Sequence, residues 1–312
     1  MDIESKIYEL EIFLKDKKSV LAFSGGSDST LLAFILSKVS PDSLLVTIDN
    51  NMMSKEFIDF TKKQADIFNL KHEIIKLDFL KDETFINNSY DRCFECRKRM
   101  YENIMKIPNF NRYDYFIEGT NITDLLEDRP GILVRNLINI TSPLIECNIT
   151  KDEVYEMIEY FNLEYSNDTT CLATRIKTNQ KVDCEKLNLI YNAEKLVKSK
   201  IDQKNIRVRL DNSTAIITVD KPSELLDETL MMDLRNKLQK LGFKKVFLDL
   251  TGYEKTKLEY SVDEKGNYYY KLPYEIDLEK TSEKLKNGKT KALKLKDTLI
   301  YDDILIEKKT VK

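Results

Sequence analysis

The segment from Ser19 to Lys38 constrains the chain more than any other. Val20–Phe23 are four apolar residues that read as a buried parallel strand. Ser24, Gly25, Gly26, Ser27, Asp28 and Ser29 follow as a tight turn, and Thr30–Leu36 opens a helix. A strand, a glycine turn and a helix N-terminus together predict an anion site. Glycine lets the backbone approach an oxyanion with no Cβ in the way. The first N–H groups of a helix lack an intrahelical acceptor, and the helix dipole favours negative charge there. Ser24 and Ser29 can add hydroxyl donors. The whole chain holds only eight glycines, so an adjacent pair here says more than a serine-rich loop before an ordinary helix would.

The segments that follow alternate between strand and helix. Leu44–Ile48 is an apolar run ending at Asp49, Ser54–Phe68 is helical, and Lys71–Leu77 is a third strand. A helix is expected from around Cys96, then a strand, Tyr115–Glu118, leading into Gly119, Thr120 and Asn121. This alternation predicts an α/β domain: a doubly wound parallel sheet whose ligands lie outside the carboxyl ends of the strands. Ser24–Ser29, Asp49 and Gly119–Asp124 all fall at that edge. Thr150 with Glu153 reads as a capping box opening a helix that stops near Asn162.

After Tyr165 the rhythm changes. Residues 165–182 are polar and carry Cys171 and Arg175, and a helix follows over Asp183–Lys198. Strands at Ile206–Leu210 and Ala215–Val219, a helix over Glu224–Leu241 closed by Gly242, and a strand at Val246–Leu250 make a smaller α+β domain. From Glu254 the chain is rich in Lys, Tyr and Asp, with a hairpin over Leu258–Leu272 around Gly266 and a charged tail after Thr281. The expected organisation is thus 1–165, 166–253 and a solvated extension, 254–312.

A chain of 312 residues with 42% hydrophobic and 33% charged residues is long enough for two globular domains. Its net charge of −3 leaves no basic footprint and argues against nucleic acid as a partner. No run of about 18 apolar residues occurs, and Met1–Asp16 has amphipathic spacing with acidic residues, so a soluble cytoplasmic protein is expected. Five cysteines, an odd number, point to metal or redox chemistry. Cys93 and Cys96 form a CxxC in DRCFECRKRM, and Cys171 stands in DTTCLATRIK. Three thiolates can ligate three irons of a 4Fe-4S cluster and leave the fourth open; a structural zinc completed by His72 or Cys147 is the alternative. Arg207 and Arg209 alternate along a strand and so share one face. There planar guanidinium groups suit phosphate or carboxylate, or simply face solvent.

The loop lacks the Lys-Ser or Lys-Thr of a P-loop and the spacing of GxGxxG. SGGSDS instead resembles the pyrophosphate loop of the ATP pyrophosphatases, written SGGxDS. In those enzymes it grips the β- and γ-phosphates while the α-phosphate is attacked. SGGSDSTLL, DRCFECRK, EGTNITDLLEDRPG, SPLIECNITKDEV, CLATR and the two arginines of Ile206–Leu210 fall in the order seen in the LarE sulfur transferases, a resemblance covering residues 1–253.

That resemblance implies an adenine nucleotide alpha hydrolase-like fold and adenylation of a carboxylate of pyridinium-3,5-biscarboxylic acid mononucleotide. Thiocarboxylate formation then follows, on the way to the nickel pincer cofactor. It implies ATP bound by Ser24–Ser29, Asp49, Gly119, Asn121 and Asp124, with Mg2+ near Asp28 or Asp124. Arg129, Arg207 and Arg209 fall to the substrate, and Cys171, Asp28, Arg175 and Glu194 to the chemistry. The family divides into members that sacrifice the sulfur of the CLxxR cysteine and members with a CxxC that hold a cluster carrying an extra sulfide; Cys93 and Cys96 place this chain with the second. Cys147 and Cys184 fall outside the pattern and read as small hydrophobes. A sulfide donor and a homo-oligomer are the implied partners. A tRNA thiolase and a non-enzymatic ATP- or metal-binding regulator are the rival functions.

Overall fold

A computed structural model describes residues 2–54, 56–126, 134, 138–166 and 170–253, and the backbone of five later strands. Arg129 lies outside the described residues.

The chain opens with helix α1 (Ile3–Leu14), strand β1 (Ser19–Ala22) and helix α2 (Ser27–Val39). Strand β2 (Leu44–Asp49), helix α3 (Phe57–Ile67) and strand β3 (Lys71–Lys76) follow. Next come α4 (Glu83–Ile86), α5 (Arg92–Ile104), strand β4 (Tyr115–Ile117), α6 (Pro143–Glu146) and α7 (Lys151–Tyr160). The first four strands form one parallel sheet in the order β3-β2-β1-β4, with Val20 opposite Leu44 and Ser19 opposite Tyr115.

Alternate residues of β1, β2 and β4 enter different cores. Leu21, Leu45 and Ile117 pack with Leu10, Leu32, Leu36 and Met157 from α1, α2 and α7. Val20, Leu44, Val46 and Phe116 pack with Tyr101 and Ile104 of α5. Cover on both faces is the reason β1, β2 and β4 read as apolar runs, whereas β3, at the sheet's edge, is KHEIIK and partly exposed. Because β1 connects toward β2 on one side and has β4 on the other, the strand order reverses between β1 and β4. In open parallel sheets ligands bind at such a crevice.

The second unit comprises helix α8 (Cys184–Lys198), strands β5 (Ile206–Asp211) and β6 (Thr214–Val219), helix α9 (Glu228–Leu241) and strand β7 (Lys245–Leu248). The sheet order is β5-β6-β7, antiparallel then parallel. Ile206, Val208 and Leu210 point into its core with Ile190, Val197 and Leu238. The same core takes in Met52, Phe79 and Phe85 from the segments after β2 and β3. The N-terminal sequence therefore supplies part of the second unit's interior.

Two local expectations need correcting. Helix α5 starts at Arg92 rather than near Cys96, so both cysteines of the CxxC ride on it. Its N-cap, Asp91, is itself in the α region and makes no side-chain cap bond, so the usual start signal is missing. Beyond residue 253, β8 (Glu259–Val262) and β9 (Tyr268–Lys271) form the expected antiparallel hairpin. The segment expected as a charged tail carries β10 (Ala292–Leu295), β11 (Thr298–Tyr301) and β12 (Ile304–Glu307), and all five join in the order β10-β11-β12-β9-β8.

Among the described residues no helix is long and apolar enough to cross a membrane.

Candidate functional site

The glycine loop is built by short-range hydrogen bonds. Gly25 has φ +68°, a left-handed conformation in which a side chain is strained, and Phe60 and Thr61 would stand 3.1–3.3 Å from any Cβ there. Gly26, extended, caps α2 without a side chain, which leaves the first N–H groups of the helix facing the crevice. The Ser29 hydroxyl donates to the Gly26 carbonyl at 3.1 Å and accepts from the Ser24 N–H at 3.3 Å. Across the strand-order reversal, Gly119 follows β4 so closely that a Cβ would lie 3.0 Å from Asp28 Cβ and 3.2 Å from the Ser29 nitrogen. Glycine at 119 thus sets how tightly β4 meets the loop.

The acidic residues expected here are joined by one asparagine. Asn121 Nδ2 donates to Asp28 Oδ1 at 2.9 Å, while the Asn121 and Asp124 backbone N–H groups each donate to the other's side chain at 3.1 Å. Lys151, which lies within SPLIECNITKDEV but is given no role by the motif, completes the group. Its ammonium sits 2.5 Å from Asp28 Oδ2 and 2.7 Å from Ser27 Oγ. Lys151 is the first residue of α7, placed by a complete Thr150–Glu153 capping box. A cation held at the mouth of an anion-binding helix terminus can receive phosphate charge.

Behind this edge Glu118 is 2% exposed and accepts from Thr120 Oγ1 at 2.5 Å, Tyr101 Oη at 3.3 Å and Arg97 at 3.4 Å, and also from Ser142. Arg97 is the residue after Cys96, so this ion pair ties the cysteine helix to the end of β4. Burial pushes the Tyr101 phenol well above its ordinary value.

The three thiols belong to one neighbourhood. Burial pushes Cys96 up to about 12, and the adjacent Cys171 and Cys93 thiols push the same way, while Arg92 and Arg97 oppose them. Cys171 is likewise raised by burial, against the pull of Arg92 and Arg175. Cys93 is exposed, whereas Cys96 and Cys171 are half-buried. Among the described residues, however, no three His, Cys, Asp or Glu side chains are gathered closely enough to hold a metal ion. The donor chemistry suits an iron–sulfur cluster, three soft thiols beside two cations, but the thiols are neighbours rather than a closed ligand set. Cys147 is buried and its thiol raised by that burial to about 11, and Cys184 is exposed as the first residue of α8.

Arg175 and Glu194 form a buried ion pair at 3.0 Å. Arg175 also donates through Nη1 to the Cys171 carbonyl at 3.1 Å and to Thr170 and Thr174 hydroxyls, and Glu194 accepts from the Val208 N–H at 3.1 Å. Both act on the backbone around Cys171 and on β5. On the far face of β5 lie Arg207, buried with its guanidinium 5.8 Å from the Tyr253 ring centre, and Arg209, exposed. Arg209 is held below its ordinary value by partial desolvation and by the cations of Arg175 and Arg207, so three guanidinium groups share one region.

A cavity of about 730 Å³ joins the two units. Asp49, Ser54 and Lys76 line it from the sheet edge, and Leu172, Asn188 and Tyr191 from the second unit. Leu172 adjoins Cys171 and donates its N–H to the Met52 carbonyl at 2.8 Å. The cysteine segment is therefore pinned to the loop that follows β2.

A glycine loop on a helix terminus, at the strand-order reversal of a parallel sheet, is a phosphate-binding arrangement, and the homologues named next make it that of a pyrophosphate-loop enzyme that uses ATP. No family model matches the chain. It is 32% identical over 240 residues to the uncharacterized protein MJ0830 of Methanocaldococcus jannaschii, covering 77% of this chain and 92% of that protein. It is 27% identical over 247 residues to the pyridinium-3,5-bisthiocarboxylic acid mononucleotide synthase of Lactiplantibacillus plantarum, 77% and 88% of the two chains. It is 26% identical over 219 residues to a component of the glutamine-hydrolyzing GMP synthase of Archaeoglobus fulgidus, 64% and 70%. The chain belongs to the family of the Methanocaldococcus protein, and the Lactiplantibacillus synthase is its homologue.

Proposed function

We propose that the protein is an ATP-dependent sulfur transferase that converts a carboxylate of pyridinium-3,5-biscarboxylic acid mononucleotide to a thiocarboxylate, for a nickel-pincer cofactor. The observation that carries this reading is the sharing of one cavity: Asp49 at the sheet edge and Leu172, next to Cys171, line the same space. The similarity to the thiocarboxylate-forming synthase supports it.

In the first step a substrate carboxylate oxygen attacks the α-phosphorus of ATP, the bond to the bridging oxygen breaks, and pyrophosphate leaves. The first N–H groups of α2, from Ser27 on, and the Lys151 ammonium, 2.7 Å from Ser27 Oγ, are set to receive the leaving charge. Asp28 and Asp124, joined through Asn121, would share Mg2+ with the triphosphate. The product is an acyl adenylate, in which AMP is a better leaving group than the original oxygen. Arg207 and Arg209 hold the substrate's phosphate.

In the second step sulfur attacks the acyl carbon and the carbon–oxygen bond to AMP breaks. Held by Cys93, Cys96 and Cys171, a 4Fe-4S cluster would supply that sulfur as sulfide on its open iron. A second reading is favoured by the lack of a closed thiol set among the described residues. There the Cys171 thiolate attacks, giving a thioester; loss of the Cα proton and cleavage of the Cβ–S bond then leave the thiocarboxylate and dehydroalanine.

The two are separated by anaerobic purification with iron and sulfide analysis, followed by Cys93→Ser. Bound iron and sulfide, lost together with turnover in Cys93→Ser, support the cluster. Iron-free protein that turns over once per Cys171 and yields dehydroalanine supports the sacrificial route. A protein that releases no pyrophosphate with this substrate contradicts both.

A further inference from the structure

Two residues that neither step uses lie between the CxxC helix and the Cys171 segment. Asn88 is 2% exposed and adopts φ +56°, a left-handed conformation that asparagine tolerates better than most residues. Its Nδ2 donates to the Lys177 carbonyl at 2.9 Å and to the Ile176 carbonyl at 3.2 Å. Its backbone carbonyl accepts from the Asn179 N–H at 2.9 Å, and nearby the Val182 N–H donates to the Ile86 carbonyl at 2.8 Å. One turn along, Arg92 is 8% exposed; its Nη1 donates both to Asn88 Oδ1 and, at 2.9 Å, to the Ala173 carbonyl. The Arg92 Nη2 lies 3.5 Å from Cys93 Sγ.

The arrangement has a physical reason. Residues 171–182 contain a single 3₁₀ turn, Leu172–Arg175, and one isolated bridge from Ile176 to Leu210, so only local bonds hold this stretch: the Ala173 carbonyl accepts the Ile176 N–H at 3.2 Å and the Lys177 carbonyl the Gln180 N–H at 3.0 Å. A carbonyl has two lone pairs, and these can take further donors from another segment. The amide of Asn88 and the fork of Arg92 provide them at 173, 176 and 177, and both come from the turn and first residue of the helix that carries Cys93 and Cys96.

We propose that Asn88 and Arg92 form a positioning clasp that sets the separation between the Cys93/Cys96 helix and the Cys171 segment. The clasp gains its catalytic meaning from the three-thiol centre proposed above, but the spacing it sets is a property of the metal-free chain. Neither residue reaches the glycine loop.

The test uses metal-free, substrate-free protein with Cys147→Ser and Cys184→Ser, reacted with dibromobimane, a short reagent that fluoresces when it joins two thiols. Peptide mass spectrometry separates links from Cys171 to Cys93 or Cys96 from the Cys93–Cys96 link within α5, which serves as the internal reference. Asn88→Gly keeps the backbone conformation and removes the amide. Arg92→Lys keeps the charge and removes the fork. Each is expected to lower the ratio of Cys171 links to the reference link roughly tenfold, since small displacements of reacting groups have large rate effects. ATP affinity should stay within about twofold. An unchanged ratio in variants that bind ATP would overturn the clasp. So would loss of ATP binding in both variants, because the residues would then be supporting the fold at large. If the sulfur-transfer function itself is wrong, the parent's cross-linking ratio and its dependence on Asn88 and Arg92 still hold.

Discussion

Glu194→Ala is expected to lower the melting temperature by about 6–20 °C. The Arg175 and Glu194 side chains are 2% and 5% exposed and meet at 3.0 Å, and the same Glu194 oxygen accepts the Val208 N–H at 3.1 Å. Removing the carboxylate breaks this buried pair from one side and leaves a buried N–H without its acceptor. Breaking a buried pair from one side costs about 3–5 kcal/mol, and each kcal/mol corresponds to about 2–4 °C in a protein of this size class. Glu194→Gln keeps an oxygen for both donors and loses only the charge, so its drop should be less than half that of Ala. Because Arg175 also holds the Cys171 carbonyl at 3.1 Å, alkylation of Cys171 should quicken in the Ala variant as its segment loosens. The assay is a calorimetric or circular-dichroism melt alongside timed alkylation. A shift under about 2 °C in Glu194→Ala would refute the reasoning, because a pair so buried cannot be broken at no cost.

Lys151→Ala removes the ammonium that lies 2.5 Å from Asp28, and pyrophosphate release should fall about tenfold to 150-fold, the equivalent of one charge-assisted hydrogen bond. An unchanged rate would remove Lys151 from the phosphate site. Arg207→Ala combined with Arg209→Ala should weaken the substrate nucleotide far more than ATP in calorimetric titrations, at about 1.5–3 kcal/mol per lost charged contact; equal losses would contradict the assignment. His72 is held below its ordinary 6.5 by burial, so below that pH the unfolded chain binds the proton more readily and stability falls with falling pH. His72→Gln should flatten this part of the stability profile in urea titrations, and a slope unchanged by the substitution would show that another group causes it.

What the sequence disclosed and what it hid divide by range. The glycine loop was legible because Gly25 must turn left-handed and Gly26 must cap a helix without a side chain, both local demands. The Thr150–Glu153 capping box and the alternation of Arg207 and Arg209 against Ile206, Val208 and Leu210 are equally local. Lys151 could not be picked out, since a lysine opening a helix has no signature until α7 is seen to begin beside Asp28. The start of α5 was hidden by a cap that makes no side-chain bond. Phe79 and Phe85 looked like part of the first domain, and only tertiary packing sends them to the second core. Arg175 and Glu194 read as candidates for the chemistry; that they meet each other, with Arg175 also on the Thr170 and Thr174 hydroxyls and Glu194 on the Val208 N–H, was beyond the reach of local pattern.

The most direct test of the account is product analysis with pyridinium-3,5-biscarboxylic acid mononucleotide, ATP, Mg2+ and anaerobically purified protein supplied with sulfide. Mass spectrometry of the nucleotide and an assay for pyrophosphate are run on the same samples. The account predicts that a carboxylate oxygen is replaced by sulfur in step with release of AMP and pyrophosphate, and that omission of ATP abolishes both. Pyrophosphate release with no sulfur in the nucleotide, in the presence of sulfide and with Cys171 intact, would contradict it.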